Sequence, residues 1–156
     1  MDELLDFWER YCHDHDIPRA YVCAVDTPDS AQIFMEKAIM AAEDGRGYKK
    51  DFFDDDEFLR SELEWLWDDD VYEYPGRVMP AELKPHGEIY EVYICQERIG
   101  WLSRNDSATV SAILSSYDQT AIEVILAGGA YVTLNDDTVE RCFEPYRATL
   151  QVTYPR

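Results

Sequence analysis

Hydrophobic and polar positions alternate along this chain with two different periods, and the change of period divides it. Residues 2–12 set Leu4, Leu5, Trp8 and Tyr11 at i, i+1, i+4 and i+7 with acids behind them, which predicts an amphipathic helix of about three turns. After Pro18, the β-branched and aromatic run YVCAV predicts a short strand, and DTPDS offers capping residues for a second helix, SAQIFMEKAIMAAED. Its apolar face is expected at Ile33, Phe34, Lys37, Ala38 and Ala41, with Gly45 as the stop. A third helix is predicted over 51–70, where Phe52, Leu59, Leu63 and Leu66 form a core-facing stripe spaced by seven, four and three.

Residues 75–87, PGRVMPAELKPHG, hold three prolines and two glycines, a density that interrupts both helices and strand ladders and predicts a linker. Beyond it the period becomes that of strands. EIYEVYICQ reads as a strand, ER as a tight connection and IGWLS as its returning partner. NDSATVSAILSSYD reads as a capped helix, TAIEVILAGGAYVTL as two strands separated by a Gly-Gly break, and ATLQVTY as a final strand. The expected architecture is α+β: an acidic, mainly helical part over 1–74, a linker over 75–87, and a β-rich part over 88–156. The last has the order β-β-α-β-β-β, a small antiparallel sheet or partly open barrel with one covering helix.

Charge sharpens this division. The 156 residues carry 33 acids against 14 bases, a net charge of −19. Of these, 22 acids and 7 bases fall in residues 1–74, and 11 acids and 7 bases in the remainder. Such a balance repels nucleic acid and anionic lipid and attracts cationic partners. A hydrophobic content of 46% nevertheless supplies ample core material, so the charge does not imply disorder. There is no basic, apolar leader and no run near the roughly 20 apolar residues of a membrane span, and the four cysteines lack C-x-x-C spacing. The expectation is a cytoplasmic protein, bacterial or from a phage-infected host, with reduced thiols.

The densest acidic stretch is DFFDDDEFLRSELEWLWDDD, residues 51–70, in which ten of twenty side chains are Asp or Glu and Arg60 is the one base. Acids at 54–57 suit a helix N-terminus, whereas Asp68, Asp69 and Asp70 would stand at a C-terminus, where the carbonyl dipoles disfavour them. Wholly helical, the stretch would span ~30 Å and carry one net negative charge per ~3.3 Å, close to the phosphate spacing along a DNA strand. The expected partner-binding set is therefore Asp54, Asp55, Asp56, Glu57, Glu62, Glu64, Asp68, Asp69 and Asp70, with Phe58, Trp65 and Trp67 as aromatic anchors. The function this points to is a non-enzymatic decoy that occupies the basic nucleic-acid-binding surface of another protein, in the manner of antirestriction and anti-CRISPR inhibitors. An immunity protein that neutralises a basic toxin or nuclease fits the same composition.

RIGWLSRNDSATVSAIL, followed by IEVILAGG and ATLQVTYP, resembles the HIRAN domain family over roughly residues 88–155, with Gly100, Trp101, Leu102, Ala108, Gly128 and Pro155 in matching places. The resemblance implies a small β-barrel-like module with a helix that holds the 3′ end of single-stranded DNA. The family's N-x-x-D-like segment ahead of the Gly-aromatic-Leu step is replaced here by EVYICQERIG. On this alternative reading Arg98, Trp101 and Arg104 contact nucleic acid, the arginines at phosphate and the indole against a base. The competing structural reading makes Trp101 a core residue and pairs both arginines with nearby acids.

Other chemistry is weakly signalled. Cys12, His13, His15 and Asp16 are the one cluster of metal-ligand types, without a second ligand-bearing element to complete a site, so no metal or cofactor is expected. No phosphate-binding loop, nucleophile elbow or H-E-x-x-H motif is present, and no enzymatic activity is expected.

Overall fold

Two long strands, β7 (Ala121–Asn135) and β8 (Thr138–Tyr154), dominate the computed structural model. The structure describes residues 2–41, 53–66, 70–74, 76–136 and 138–156, with the side chains of residues 62 and 64–66 outside that description. The remaining elements are α1 (Asp2–Asp14), β1 (Arg19–Val25), a short 3-10 turn at Asp29–Ala31, α2 (Gln32–Met40), α3 (Asp56–Leu66), β2 (Val71–Tyr72), β3 (Arg77–Pro80), β4 (Glu82–His86), β5 (Ile89–Ile94), β6 (Glu97–Trp101) and α4 (Arg104–Ser116). One sheet runs β1-β8-β7-β2 with β3 also on β7, and a second runs β4-β5-β6. The class is α+β, as the periodicities imply.

The chain divides into two units that do not follow the boundary at 75–87. Residues 1–26, 79–124 and 149–156 form one, and 27–78 with 125–148 form the other. The stretch expected to be a linker contains β3 and β4. Pro85 is accommodated because β4 is a sheet edge, the position where strands tolerate proline, and Pro80 is the last residue of β3.

In the first unit, β4, β5 and β6 form an antiparallel meander, with Leu83 opposite Val92 and Val92 opposite Gly100. The β5–β6 turn falls at Cys95-Gln96, both at positive φ (49° and 70°), so Glu97 and Arg98 belong to β6 and are not the connection. Alternation survives this shift: Val92, Ile94, Ile99 and Leu102 are fully buried or nearly so, alongside Val110, Val124, Leu150 and Val152. The α4 helix is capped by Ser103, which the sequence places at the end of the IGWLS strand, its hydroxyl accepting from the Asp106 amide at 3.1 Å. Ser107, the one polar residue among the buried ones described, accepts the Tyr90 amide proton and ties α4 to β5. Gly100 is required by close approach: a Cβ there would lie 2.0 Å from the Asp26 carbonyl oxygen, which pairs with the Trp101 amide at 3.0 Å.

In the second unit, Phe53, Leu59, Leu63, Val71 and Val132 make a buried cluster, with Val71 directly opposite Val132 across the β2–β7 ladder. Leu59 and Leu63 fulfil the stripe expected of α3, but Phe52 and the Leu66 side chain lie outside the described residues. The helix is shorter than the 51–70 expected, covering Asp56–Leu66. The buried face of α2 is Met35 and Ile39, continuing Ala31 of the preceding turn and one position off the expected face, and Ile33 is exposed. Gln32 explains the rotation: its side-chain amide pairs with the Tyr146 backbone both ways at 2.8 Å, so the first turn is set by a β8 contact and not by apolar area. No DTPDS side chain caps it, and Gly45 lies outside the described residues.

The Gly-Gly break is not a break. Gly128 and Gly129 sit at φ 113° and 97° inside continuous β7, where a Cβ on Gly128 would come 2.6 Å from the Pro145 carbonyl oxygen. With β8 likewise continuous from Thr138, the β-β-α-β-β-β order expected after the linker becomes β-β-α-β-β.

Candidate partner-binding faces

The acidic stretch meets the fold at the start of α3. Asp55 caps the helix, its carboxylate accepting the Phe58 amide at 3.1 Å while its carbonyl accepts that of Leu59 at 3.0 Å. Asp56 pairs with Arg141 of β8 at 2.8 Å, and the same guanidinium donates to the Phe53 carbonyl at 3.0 Å and lies 5.9 Å from the Phe53 ring centroid. Arg141 thus ties the segment before α3 to the sheet. Two of the four acids at 54–57 therefore have structural employment as well as exposure, as their position at a helix N-terminus suggests.

Asp54, Asp55, Asp56, Glu57 and Asp70 are all exposed. Phe58 does not stand out as an anchor: it is half-buried and packs against the Phe53–Leu59–Leu63 cluster. Asp70 lies outside any helix, immediately before β2. The backbones of Glu62, Glu64 and Trp65 are in α3, but their side chains, and all of Trp67, Asp68 and Asp69, lie outside the described residues. An unbroken helical row of charge over 51–70 is thus corrected to an eleven-residue helix with exposed acids at and before its N-terminus and another at Asp70.

Next to Asp70, β2 and β7 present Tyr72 opposite Tyr131 with ring centroids 5.2 Å apart. The Tyr72 hydroxyl donates to Glu144 at 3.0 Å, and Glu144 also pairs with Arg147. Burial, then the Glu144 hydrogen bond, raise the Tyr72 pKa, while Arg147 first and Tyr72 after it hold Glu144 below the ordinary carboxylate range.

The residues of the alternative nucleic-acid reading are engaged internally. Arg98 bonds Glu91 at 2.7 Å, Arg104 pairs with Glu88 at 2.9 Å, and Trp101 is half-buried with its backbone paired to Asp26. The 12–15 cluster points apart: Cys12 is fully buried, His13 lies near Asp14, and the His15 ring stacks on Tyr11. Among the described residues, no three His, Cys, Asp or Glu side chains are grouped to hold a metal ion.

A second exposed surface carries a signal whose period is readable but whose destination is not. Leu4, Leu5, Phe7, Trp8 and Tyr11, the apolar positions of α1, are all exposed. Apolar periodicity reports that a helix has two faces, not which molecule covers one of them.

Charge is not confined to one unit. The first contains 14 acids and 6 bases, the second 19 and 8. Among the described residues, no helix is long and apolar enough to cross a membrane. The chain matches no family model, no curated protein and no solved structure.

Proposed function

We propose that this chain is a non-enzymatic acidic inhibitor that docks on the basic, nucleic-acid-binding surface of another protein and displaces the polyanion held there. The observation that carries the reading is the net charge of −19 together with the exposure of Asp54, Asp55, Asp56, Glu57 and Asp70 around α3. Long-range attraction steers a basic groove toward such a surface and sets orientation before contact, and carboxylates then replace phosphates as partners of lysine and arginine. A catalytic role draws no comparable support: in the cleft of about 530 Å3 beside Ile17, Ala121 and Tyr154, Arg156 is already bonded to Glu9 and the Ile17 carbonyl.

The test is capture from extract of the native host on immobilised protein, identification by mass spectrometry, and competition against duplex DNA with the purified partner. The expected partner binds nucleic acid, loses DNA as this chain is added, and binds more weakly as salt rises. Combined Asp54→Asn, Glu57→Gln and Asp70→Asn substitutions should weaken it at least about tenfold, largely through association rate, while leaving the fold intact. A toxin nuclease as the captured partner would make the protein an immunity factor acting by the same electrostatics. A specific partner with no affinity for nucleic acid defeats the reading.

A further inference from the structure

We infer that α1 is a helical docking element that lays its aromatic face into an apolar groove of a partner protein whose rims carry lysine or arginine. This needs a cationic partner, as the inhibitor reading does, but neither the acids of 54–70 nor a nucleic-acid-binding surface.

Three observations carry the inference. First, the apolar face is open: Leu4 is 71% exposed, Phe7 60% and Trp8 52%. An amphipathic helix normally buries that stripe, and clustered exposed apolar side chains mark interaction surfaces. Second, the face is ordered. Phe7 stacks on Tyr11 with centroids 6.5 Å apart, Trp8 on Tyr11 at 5.9 Å and Tyr11 on His15 at 4.0 Å, and the His15 Nδ1 lies 2.8 Å from the Tyr11 carbonyl oxygen. The helix itself is fastened toward its C-terminal end, where Cys12 continues the Trp8 face one turn further on. Cys12 is fully buried, Glu9 pairs with Arg156 at 2.6 Å, and the Ile17 amide closes the C-terminus on the Cys12 carbonyl at 2.9 Å. Aromatic anchors held in position before binding lose little conformational freedom on contact, which favours a recognition role.

Third, charge selects the occupant. The helix bears Asp2, Glu3, Asp6, Glu9 and Asp14 against Arg10 alone among full-time cations. Glu3 stands four residues before Phe7 and Asp14 seven after it, so carboxylates border one edge of the stripe at helical spacing. A second copy of this chain would bring the same acids and a net charge of −19 against them. An anionic membrane is repelled for the same reason. A groove with an apolar floor and basic rims satisfies both features, the helix-in-groove mode with anchors at i, i+3, i+4 and i+7.

The probe is a fluorescein-labelled synthetic helical peptide with a leucine face rimmed by lysines, beside a scrambled peptide of identical composition. Anisotropy titrations use the full chain, the Leu4→Ser/Trp8→Ser variant, and the Asp54→Asn/Glu57→Gln/Asp70→Asn variant, with circular dichroism confirming that all three retain secondary structure. The patterned peptide is expected to bind at least about tenfold more tightly than the scrambled one, and the α1 variant to lose that advantage while the acid variant keeps it. Equal binding of both peptides, or an unaltered preference in the α1 variant, overturns the inference. So does a dimer in sedimentation velocity that Leu4→Ser/Trp8→Ser disperses, or binding to zwitterionic vesicles without a peptide preference. Loss of the acid variant's binding to a host partner with the peptide preference intact would leave this inference standing and test only the inhibitor reading.

Discussion

At the scale of single residues, the acidic stretch holds carboxylates of different kinds. Asp55 has a local task that needs an oxygen acceptor and not a charge, since the Phe58 amide is the group it satisfies. Asp55→Asn should therefore leave stability nearly unchanged, whereas Asp55→Ala should cost about 1 kcal/mol, measured by urea denaturation. Asp56 shares Arg141 with the Phe53 carbonyl, so its removal leaves the arginine with a second attachment. Asp54 and Glu57 are exposed, and the proposed inhibitor role expects their neutralisation to weaken partner binding while leaving folding unchanged. A residue count over 51–70 does not separate these roles, because a cap, an ion pair and a solvated charge are spelled with the same letters.

At the scale of elements, the turn between β5 and β6 offers a direct test of the strand register. Cys95 and Gln96 both occupy left-handed backbone, a conformation that hairpin turns fill with Asn-Gly. Cys95→Asn with Gln96→Gly should stabilise the protein by about 1 kcal/mol in thermal or chemical denaturation, and a loss of stability would place the turn elsewhere. That turn also shows what the sequence conceals. The sequence pattern places a two-residue connection at Glu97-Arg98, and Cys-Gln has no turn signature, so only the ladder reveals the register. The alternation of Val92, Ile94 and Ile99 and the Leu59–Leu63 stripe were legible because each is a local pattern with one dominant outcome. The rotation of α2 was not, because Gln32 reaches a backbone 114 residues away. Nor was the continuity of β7, whose two glycines serve both a chain break and an unbroken kinked strand. For the candidate faces, the sequence made the acids and the α1 stripe visible, but the half-burial of Phe58 and the openness of Trp8 depend on the packing of the whole fold.

At the scale of the whole molecule, both units have more acids than bases, so screening of that repulsion should raise stability. Alkaline conditions act in the opposite direction. Burial first, and the Asp106 carboxylate second, raise the Cys23 thiol from 9.0 to about 11. Between those values the unfolded chain releases the proton that the folded chain keeps, so stability falls as pH rises from 9.0 to about 11. Unfolding free energy measured across that range should decline, and Cys23→Ala should flatten the slope even though it lowers the starting stability.

The first unit is gathered from three stretches separated by the whole of the second, and Leu150 and Val152, both inaccessible to water, come from the last of them. Helices α1 and α4 can flicker into shape early from local preference, yet their tertiary setting waits on a strand more than a hundred residues downstream of α1. Assembly of that unit is accordingly expected to be late and slow for a chain of this size, and a fragment halted before residue 149 would expose greasy strand surface instead of a smaller native domain.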